Sequence, residues 1–116
     1  MPKNIIIIAV LLVIIFTTFF TLKINSGLSR PPSKTEIETA INQANHLYRQ
    51  EKDKGRDFST GPCLSDALLP DWVVDIVHDP RLPIDDLPAN QCPSYREGRA
   101  LHFVEFDTEG KLIRTK

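Results

Sequence analysis

The chain has 116 residues, with 14 basic and 15 acidic side chains and a formal net charge of −1. The charge is unevenly placed, because every acid lies at or beyond Glu36, and the part from Thr35 onward carries a net charge of −5. Nucleic acid is therefore a poor partner for this protein, since binding to a phosphate backbone needs an excess of cations.

The first predicted element is an apolar helix over residues 5–22, where the sequence IIIIAVLLVIIFTTFFTL contains no charge, proline or glycine. A helix of about 18 residues spans about 27 Å, close to the hydrocarbon core of about 30 Å. Lys3 and Lys23 flank the run and can reach the lipid headgroups. The hydroxyls of Thr17, Thr18 and Thr21 can return to the helix backbone. The predicted partner of residues 5–22 is the lipid bilayer.

A cleaved signal peptide is the alternative, with an apolar region of about 7–15 residues before a small-x-small site. The run here is longer, and Ile24 and Asn25 suit a cleavage site poorly. We therefore predict an uncleaved transmembrane signal-anchor with a short tail over residues 1–24. A linker over residues 25–34 and a soluble head over residues 35–116 are expected to follow.

Two signals disagree on the side of the membrane that the head occupies. Cations at positions 23, 30 and 34 favour a cytoplasmic head by the positive-inside rule. Cys63 and Cys92, which lack CxxC spacing, suit one disulfide in an oxidising compartment, and two buried free thiols are the alternative. The numbers of cations on the two sides of the apolar run differ by only one or two. We therefore give the cysteines more weight and predict an extracytoplasmic head at the cell membrane.

The head is predicted to begin with an amphipathic helix. Pro31 and Pro32 stop any helix that precedes it. Thr35 and Glu38 have capping-box spacing, and Gly55 is predicted to end the helix. An apolar stripe recurs every three or four residues between them, at Ile37, Ala40, Ile41, Ala44, Leu47 and Tyr48. A helix of about 18 residues needs a partner surface for such a stripe.

The middle of the head, between the cysteines, is proline-rich and irregular. Residues 65–69 are predicted to form one helical turn. Residues 70–78 suit a second short helix with Pro70 early in it, although their β-branched content leaves a strand as the alternative. From residue 79 to residue 93 we expect an ordered loop, closed by a disulfide worth roughly 3–4 kcal/mol.

The end of the head is predicted to be a β-hairpin. Residues 101–106 are rich in strand formers, Asp107–Gly110 has the chemistry of a type I turn with a left-handed glycine, and residues 111–114 return. Residues 95–98 indicate an earlier turn, with a short strand before it as an open alternative. Since a hairpin is marginal alone, the predicted fold class is α+β. It comprises a transmembrane helix, then an amphipathic helix packed on a small antiparallel sheet with a long disulfide-closed loop.

Six aspartates and a single cation lie between the two cysteines. We interpret five of them as a candidate interaction loop for a cationic protein partner of the envelope, with a merely solubilising acidic face as the alternative. The first three share one face if their segment is helical. Calcium is a second alternative ligand, although the DxDxDG spacing is absent. The five residues are Asp71, Asp75, Asp79, Asp85 and Asp86.

Patterns for metal ligation or nucleophilic catalysis are absent from the sequence. We therefore predict no catalytic residue, metal ligand or cofactor, and a protein that is not an enzyme. The order of its parts resembles the type IV pilins and type II secretion pseudopilins. The features that carry the resemblance are Leu47-Tyr48, the segment LLPDWV at 68–73, Asp79-Pro80, Tyr95 with the hairpin, and the cysteine pair.

The resemblance implies a pilin-like head in which the helix packs on the sheet, on a surface or envelope structural or interaction protein. Residues 1–5 lack the family's glycine–phenylalanine processing signal, and the anchor lacks its glutamate. A membrane-tethered domain that binds a small ligand or calcium through the acidic loop is the alternative function.

Overall fold

The computed structural model describes residues 2–26 and 30–116, and of residues 22–26 it describes the backbone alone. The chain forms two compact units, residues 1–31 and 32–116, which are considered separately. Met1 of the predicted tail, residues 27–29 of the predicted linker and the side chain of Lys23 lie outside the described part.

The first unit contains helix α1, Lys3–Ser26. Its described side chains, up to residue 21, are all exposed. Within the described residues it is the one helix that is long and apolar enough to cross a membrane. The predicted return of the threonine hydroxyls is confirmed, since Thr18 Oγ1 donates to the Ile14 carbonyl at 2.7 Å and Thr21 Oγ1 donates to the Thr17 carbonyl at 2.7 Å.

Helix α2, Lys34–Asp53, opens the second unit. Its N-cap is Ser33, and the capping box joins Ser33 to Glu36, so the predicted box two residues later is wrong. Ser33 follows the two prolines and has extended backbone angles, which places its hydroxyl over the first free N–H groups of the helix. Gly55 follows the helix end in a left-handed conformation, with φ of 81°.

Four strands form one sheet in the order β1-β2-β3-β4, which confirms the α+β fold class. Their bounds are Cys63–Leu69, Trp72–Ile76, His102–Phe106 and Leu112–Thr115. The two outer pairs are antiparallel, but β2 and β3 are parallel, so the sheet is mixed rather than antiparallel throughout. A parallel neighbour needs a long crossover, which residues 77–101 supply.

The two helical segments predicted in the middle of the head are wrong, because β1 and β2 occupy them. Trp72, Val74 and Ile76 pack in the cluster beneath α2, while Val73 packs in a second cluster on the opposite face. A strand that is covered on both faces has apolar residues at nearly every position. Such a run also contains the three- and four-residue spacings of a helix, so periodicity does not distinguish the two. Asp71 makes the turn between the strands with φ of 70°.

The crossover contains two 3-10 turns, Pro83–Asp86 and Pro88–Asn90, and then a single-turn helix α3, Pro93–Arg96. The earlier turn predicted at residues 95–98 is confirmed at the end of α3, where the Gly98 N–H donates to the Tyr95 carbonyl at 3.1 Å. Among the described residues no strand lies between β2 and α3. The left-handed glycine of the final hairpin is confirmed at Gly110, with φ of 89°. A Cβ there would strike the ring of Tyr48, whose hydroxyl donates to the Thr108 carbonyl at 2.9 Å.

Helix α2 covers one face of the sheet, and we call the other the far face. Ala40, Ala44 and Tyr48 of α2 are buried against the face that α2 covers. The predicted disulfide is confirmed between Cys63 and Cys92, which are 29 positions apart. Cys92 is buried in the far-face cluster, so the bond ties the crossover to the edge strand β1.

Candidate functional site on the far face

A pocket of about 320 Å³ opens on the far face. Alternation along the strands places Val73 and Asp75 of β2 beside Phe103 and Glu105 of β3, and Arg114 of β4 opposite Glu105. We call this the Asp75–Glu105 pocket. The rest of its lining is formed by Arg81, Gln91, Cys92, Tyr95, Arg96 and Lys116.

Two carboxyl groups form the centre of the pocket. Asp75 and Glu105 are register partners in the parallel pair, and no hydrogen bond joins them among the described contacts. Oδ1 of Asp75 is buried and has no hydrogen-bond partner in the described part of the protein. Burial, helped by the negative charge of Glu105, raises the pKa of Asp75 to about 8. At neutral pH Asp75 is therefore a neutral acid that can donate a hydrogen bond.

Glu105 differs from Asp75, because arginines compensate its charge. Nε of Arg114 lies 3.1 Å from Oε1 of Glu105, and Nη1 of Arg81 lies 3.7 Å from Oε2. The Arg114 guanidinium also stands over the Phe103 ring, 5.1 Å from its centre. Glu105 thus orients Arg114 toward the pocket, whereas Arg81 is held by Asp86, whose Oδ1 accepts the Nε–H of Arg81 at 3.0 Å.

The rim of the pocket carries two further cations, Arg96 and Lys116, which are exposed and form no salt bridge with the described residues. The floor is apolar. Tyr95 meets Phe103 edge to face at a centroid distance of 5.0 Å, and the disulfide at Cys92 completes the wall. Four cations line the pocket, and the carboxylates that pair with them are Glu105 and, outside the lining, Asp86. Because Asp75 is protonated at neutral pH, the pocket is locally positive although the head is acidic.

The five aspartates of the predicted interaction loop are not brought together. Asp71 lies in the β1–β2 turn, Asp75 in the pocket, and Asp79 on the surface. Asp86 Oδ1 accepts the Nε–H of Arg81 at 3.0 Å. Asp85 is fully buried. The predicted common face of the first three does not form, because their segment is a turn and a strand.

Asp85 organises the crossover. Its carboxylate accepts the backbone N–H of His78 at 3.0 Å and that of Leu82 at 2.8 Å, and it lies 2.8 Å from the His78 ring. Burial raises its pKa, but these bonds outweigh burial and hold the pKa below the ordinary value. Gly61, with φ of 67°, passes so close that a Cβ would strike the carboxylate. Asp85 therefore has a structural role and is closed to a partner.

Among residues 2–26 and 30–116, one group of metal-type ligands converges, formed by Cys63, Asp66 and Cys92. The two sulfurs are consumed in the disulfide. Asp66 accepts the N–H and the hydroxyl of Ser94, at 2.7 and 2.6 Å. The acidic loop therefore gathers no oxygen ligands around a shared point in the described structure, and the calcium alternative gains no support.

Sequence reasoning missed Glu105 and Arg114, and it assigned no common site to the pocket residues that it did name, Asp75, Cys92 and Tyr95. A signal was nevertheless present: Asp75 interrupts the apolar run WVVDIV, and Glu105 interrupts HFVEF. A charged residue inside a short apolar strand is costly to bury and marks a site with partners. Comparison with known proteins found no matching family model, no similar curated protein and no similar solved structure.

Proposed function

We propose that the chain is a single-pass, membrane-anchored and non-enzymatic interaction protein of the cell surface or envelope, with its head outside the cytoplasm. The observation that carries this proposal is the surface of α1. Large apolar side chains surround it, and those of Ile8 and Phe16 are 57% and 70% exposed. A continuous exposed apolar surface of this length is unfavourable in water and favourable in a bilayer.

The extracytoplasmic side is supported by the disulfide. It joins two elements of a small head, and reducing cytosol keeps such thiols unpaired. The small size of the head makes the cross-link valuable, because few buried side chains are available to stabilise it.

The pocket lining is suited to recognition, because it presents cations, carboxyl groups, an amide and aromatic rings. The ring nitrogens of His78 are both engaged, one with Asp85 and the other with the Ser59 carbonyl at 3.0 Å. We keep the pilin-like head within this proposal, since α2 packs on one face of the sheet as that resemblance implies.

The test is a topology experiment on the full chain with an epitope tag after Lys116. We expect the protein to stay in the membrane fraction under alkaline extraction. In cells whose outer layer is permeabilised but whose cytoplasmic membrane is intact, added protease should digest the head. A variant with Leu12→Arg and Ile15→Arg, which interrupts the apolar run, should lose the membrane fraction. A head that is protected in intact cells, with two thiols open to alkylation, would refute the proposed side.

A further inference from the structure

We propose that the Asp75–Glu105 pocket binds a small organic anion, one that carries a carboxylate group on an aromatic or similarly apolar body. This inference concerns the ligand of the head, and it holds or fails independently of the side of the membrane. Three features of the pocket support it: the balance of charge, the unsatisfied acid and the apolar floor.

The charge balance favours an anion. Arg81 is paired with Asp86 and lies near Glu105. Arg114 donates to Glu105 through its Nε alone, and its two terminal nitrogens form no hydrogen bond with the described residues. Arg96 and Lys116 at the rim are exposed. Arginine presents a planar set of donors that matches the two oxygens of a carboxylate.

Asp75 supplies the second feature. A buried polar atom without a partner is rare in folded proteins, and Oδ1 of Asp75 is such an atom. The neutral carboxyl group needs an acceptor for its proton, and among the described contacts no hydrogen bond joins it to Glu105, whose Oε1 accepts from Arg114. A carboxylate oxygen that enters the pocket supplies an acceptor, and a bond between an acid and a carboxylate is short and strong.

The third feature is the size and the apolar floor. Val73, Phe103, the Tyr95 ring and the buried disulfide sulfur of Cys92 form apolar lining beside the charged groups. The volume of about 320 Å³ lies at the lower end of the range for small-molecule pockets, about 300–1,000 Å³. An anion with one aromatic ring matches both the volume and the mixed lining.

Charged groups face Asp75 from β3, β4 and the crossover, whereas β1 pairs with it through the uncharged Cys63. Glu105 faces it from β3 and Arg114 from β4, while Arg81 and the Asp85 carboxylate face it from the crossover. Cations of α3 and the chain end complete the pocket. As pH rises through about 8, Asp75 loses its proton. It then repels an anion and no longer donates, so anion binding should weaken.

The experiment uses the full chain in non-ionic detergent micelles and follows ligand fluorine signals by NMR. Three matched probes differ in charge: 4-fluorobenzoate is an anion, 4-fluorobenzamide is neutral and 4-fluorobenzylamine is a cation. For so small a ligand we expect the benzoate to bind with a dissociation constant of about 1 mM or lower at pH 6.5. The amide and the amine should bind at least about tenfold more weakly, since charge-assisted bonds are lost.

Two variants assign the binding to the pocket. Arg96→Gln should weaken benzoate binding about threefold to tenfold through the loss of a charge-assisted bond. The matched control is Arg49→Gln on the exposed surface of α2, which packs on the other face of the sheet, and it should leave binding unchanged. Asp75→Asn should abolish the pH dependence, whereas the parent should bind about fivefold to tenfold more weakly at pH 9 than at pH 6.5.

Intact folding of each variant is checked by the fluorescence of Trp72, the single tryptophan, which is buried. Three results overturn the proposal in folded protein. One is no benzoate binding at about 10 mM, and another is tighter binding of the amine than of the benzoate. The third is equal loss of binding in the Arg96 and Arg49 variants, which would place the ligand on general surface charge.

Discussion

Replacing Asp75 with asparagine should stabilise the head at neutral and alkaline pH. The pKa of Asp75 is about 8, compared with an ordinary 3.8, and each unit of difference corresponds to about 1.4 kcal/mol. The full difference sets a ceiling of about 5–6 kcal/mol on the cost of ionising Asp75 in the folded protein. The pocket opens to water and holds Arg81, both of which reduce that cost, so we expect a gain on the order of 2 kcal/mol at pH 9.

The sign follows from proton binding. The unfolded chain loses the Asp75 proton near pH 4 (about 3.9), while the folded protein keeps it until about pH 8. Between these values the unfolded state binds fewer protons, so the free energy of unfolding falls as pH rises and levels off above about 8. The asparagine variant cannot lose a proton there, and its stability should lack this part of the fall.

The assay is urea unfolding of the full chain in non-ionic detergent, followed by Trp72 fluorescence from pH 4 to pH 9. Trp72 is 4% exposed, so its emission reports opening of the head core. Asp79→Asn is the matched control, because it makes the same chemical change at an exposed carboxylate. The reasoning is refuted if the stability curves of the Asp75 variant and the parent run parallel across this range, or if the control gains as much.

Further outcomes can be measured on the same material. Glu105→Gln removes the neighbouring negative charge and should lower the pKa of Asp75, which carbon NMR titration of its carboxyl group measures. An unchanged titration midpoint would mean that the charge of Glu105 does not affect Asp75. Ile41→Ala should cost about 1–2 kcal/mol, below the usual core range because Ile41 is only partly buried; no loss in urea unfolding would mean that α2 is unpacked there. Replacing Cys63 and Cys92 with serine should cost about 3 kcal/mol, and the parent should show no alkylatable thiol by mass spectrometry.

Local patterns were sufficient where the physical cause is local. The apolar run of α1, the period of α2 and the left-handed glycine at Gly110 were all predicted, because helix periodicity and turn sterics act within a few residues. The capping box was misplaced by two positions. Ser33–Glu36 and Thr35–Glu38 have the same spacing, and the extended backbone after the prolines selects the earlier one.

The strand β2 was misassigned because its burial is decided by elements distant in the chain. Helix α2 covers Val74 on one face, and Phe103 and Cys92 lie in the cluster with Val73 on the other. The parallel pairing of β2 with β3 has the same origin, since it depends on how residues 77–101 cross over. No pattern within a nine-residue window contains this information.

Sequence alone was enough to predict an apolar N-terminal helix, an amphipathic helix, a terminal hairpin and a cysteine pair, because composition and short-range periodicity specify each of them. Tertiary structure decided which acidic residues are buried and which of them lines the pocket. The five aspartates looked equivalent in the sequence, yet folding buries Asp85 under backbone N–H groups and sets Asp75 beside Glu105. A carboxyl group acquires its pKa and its partners from groups that are distant in sequence, so the Asp75–Glu105 pocket exists only once β2, β3 and β4 are aligned.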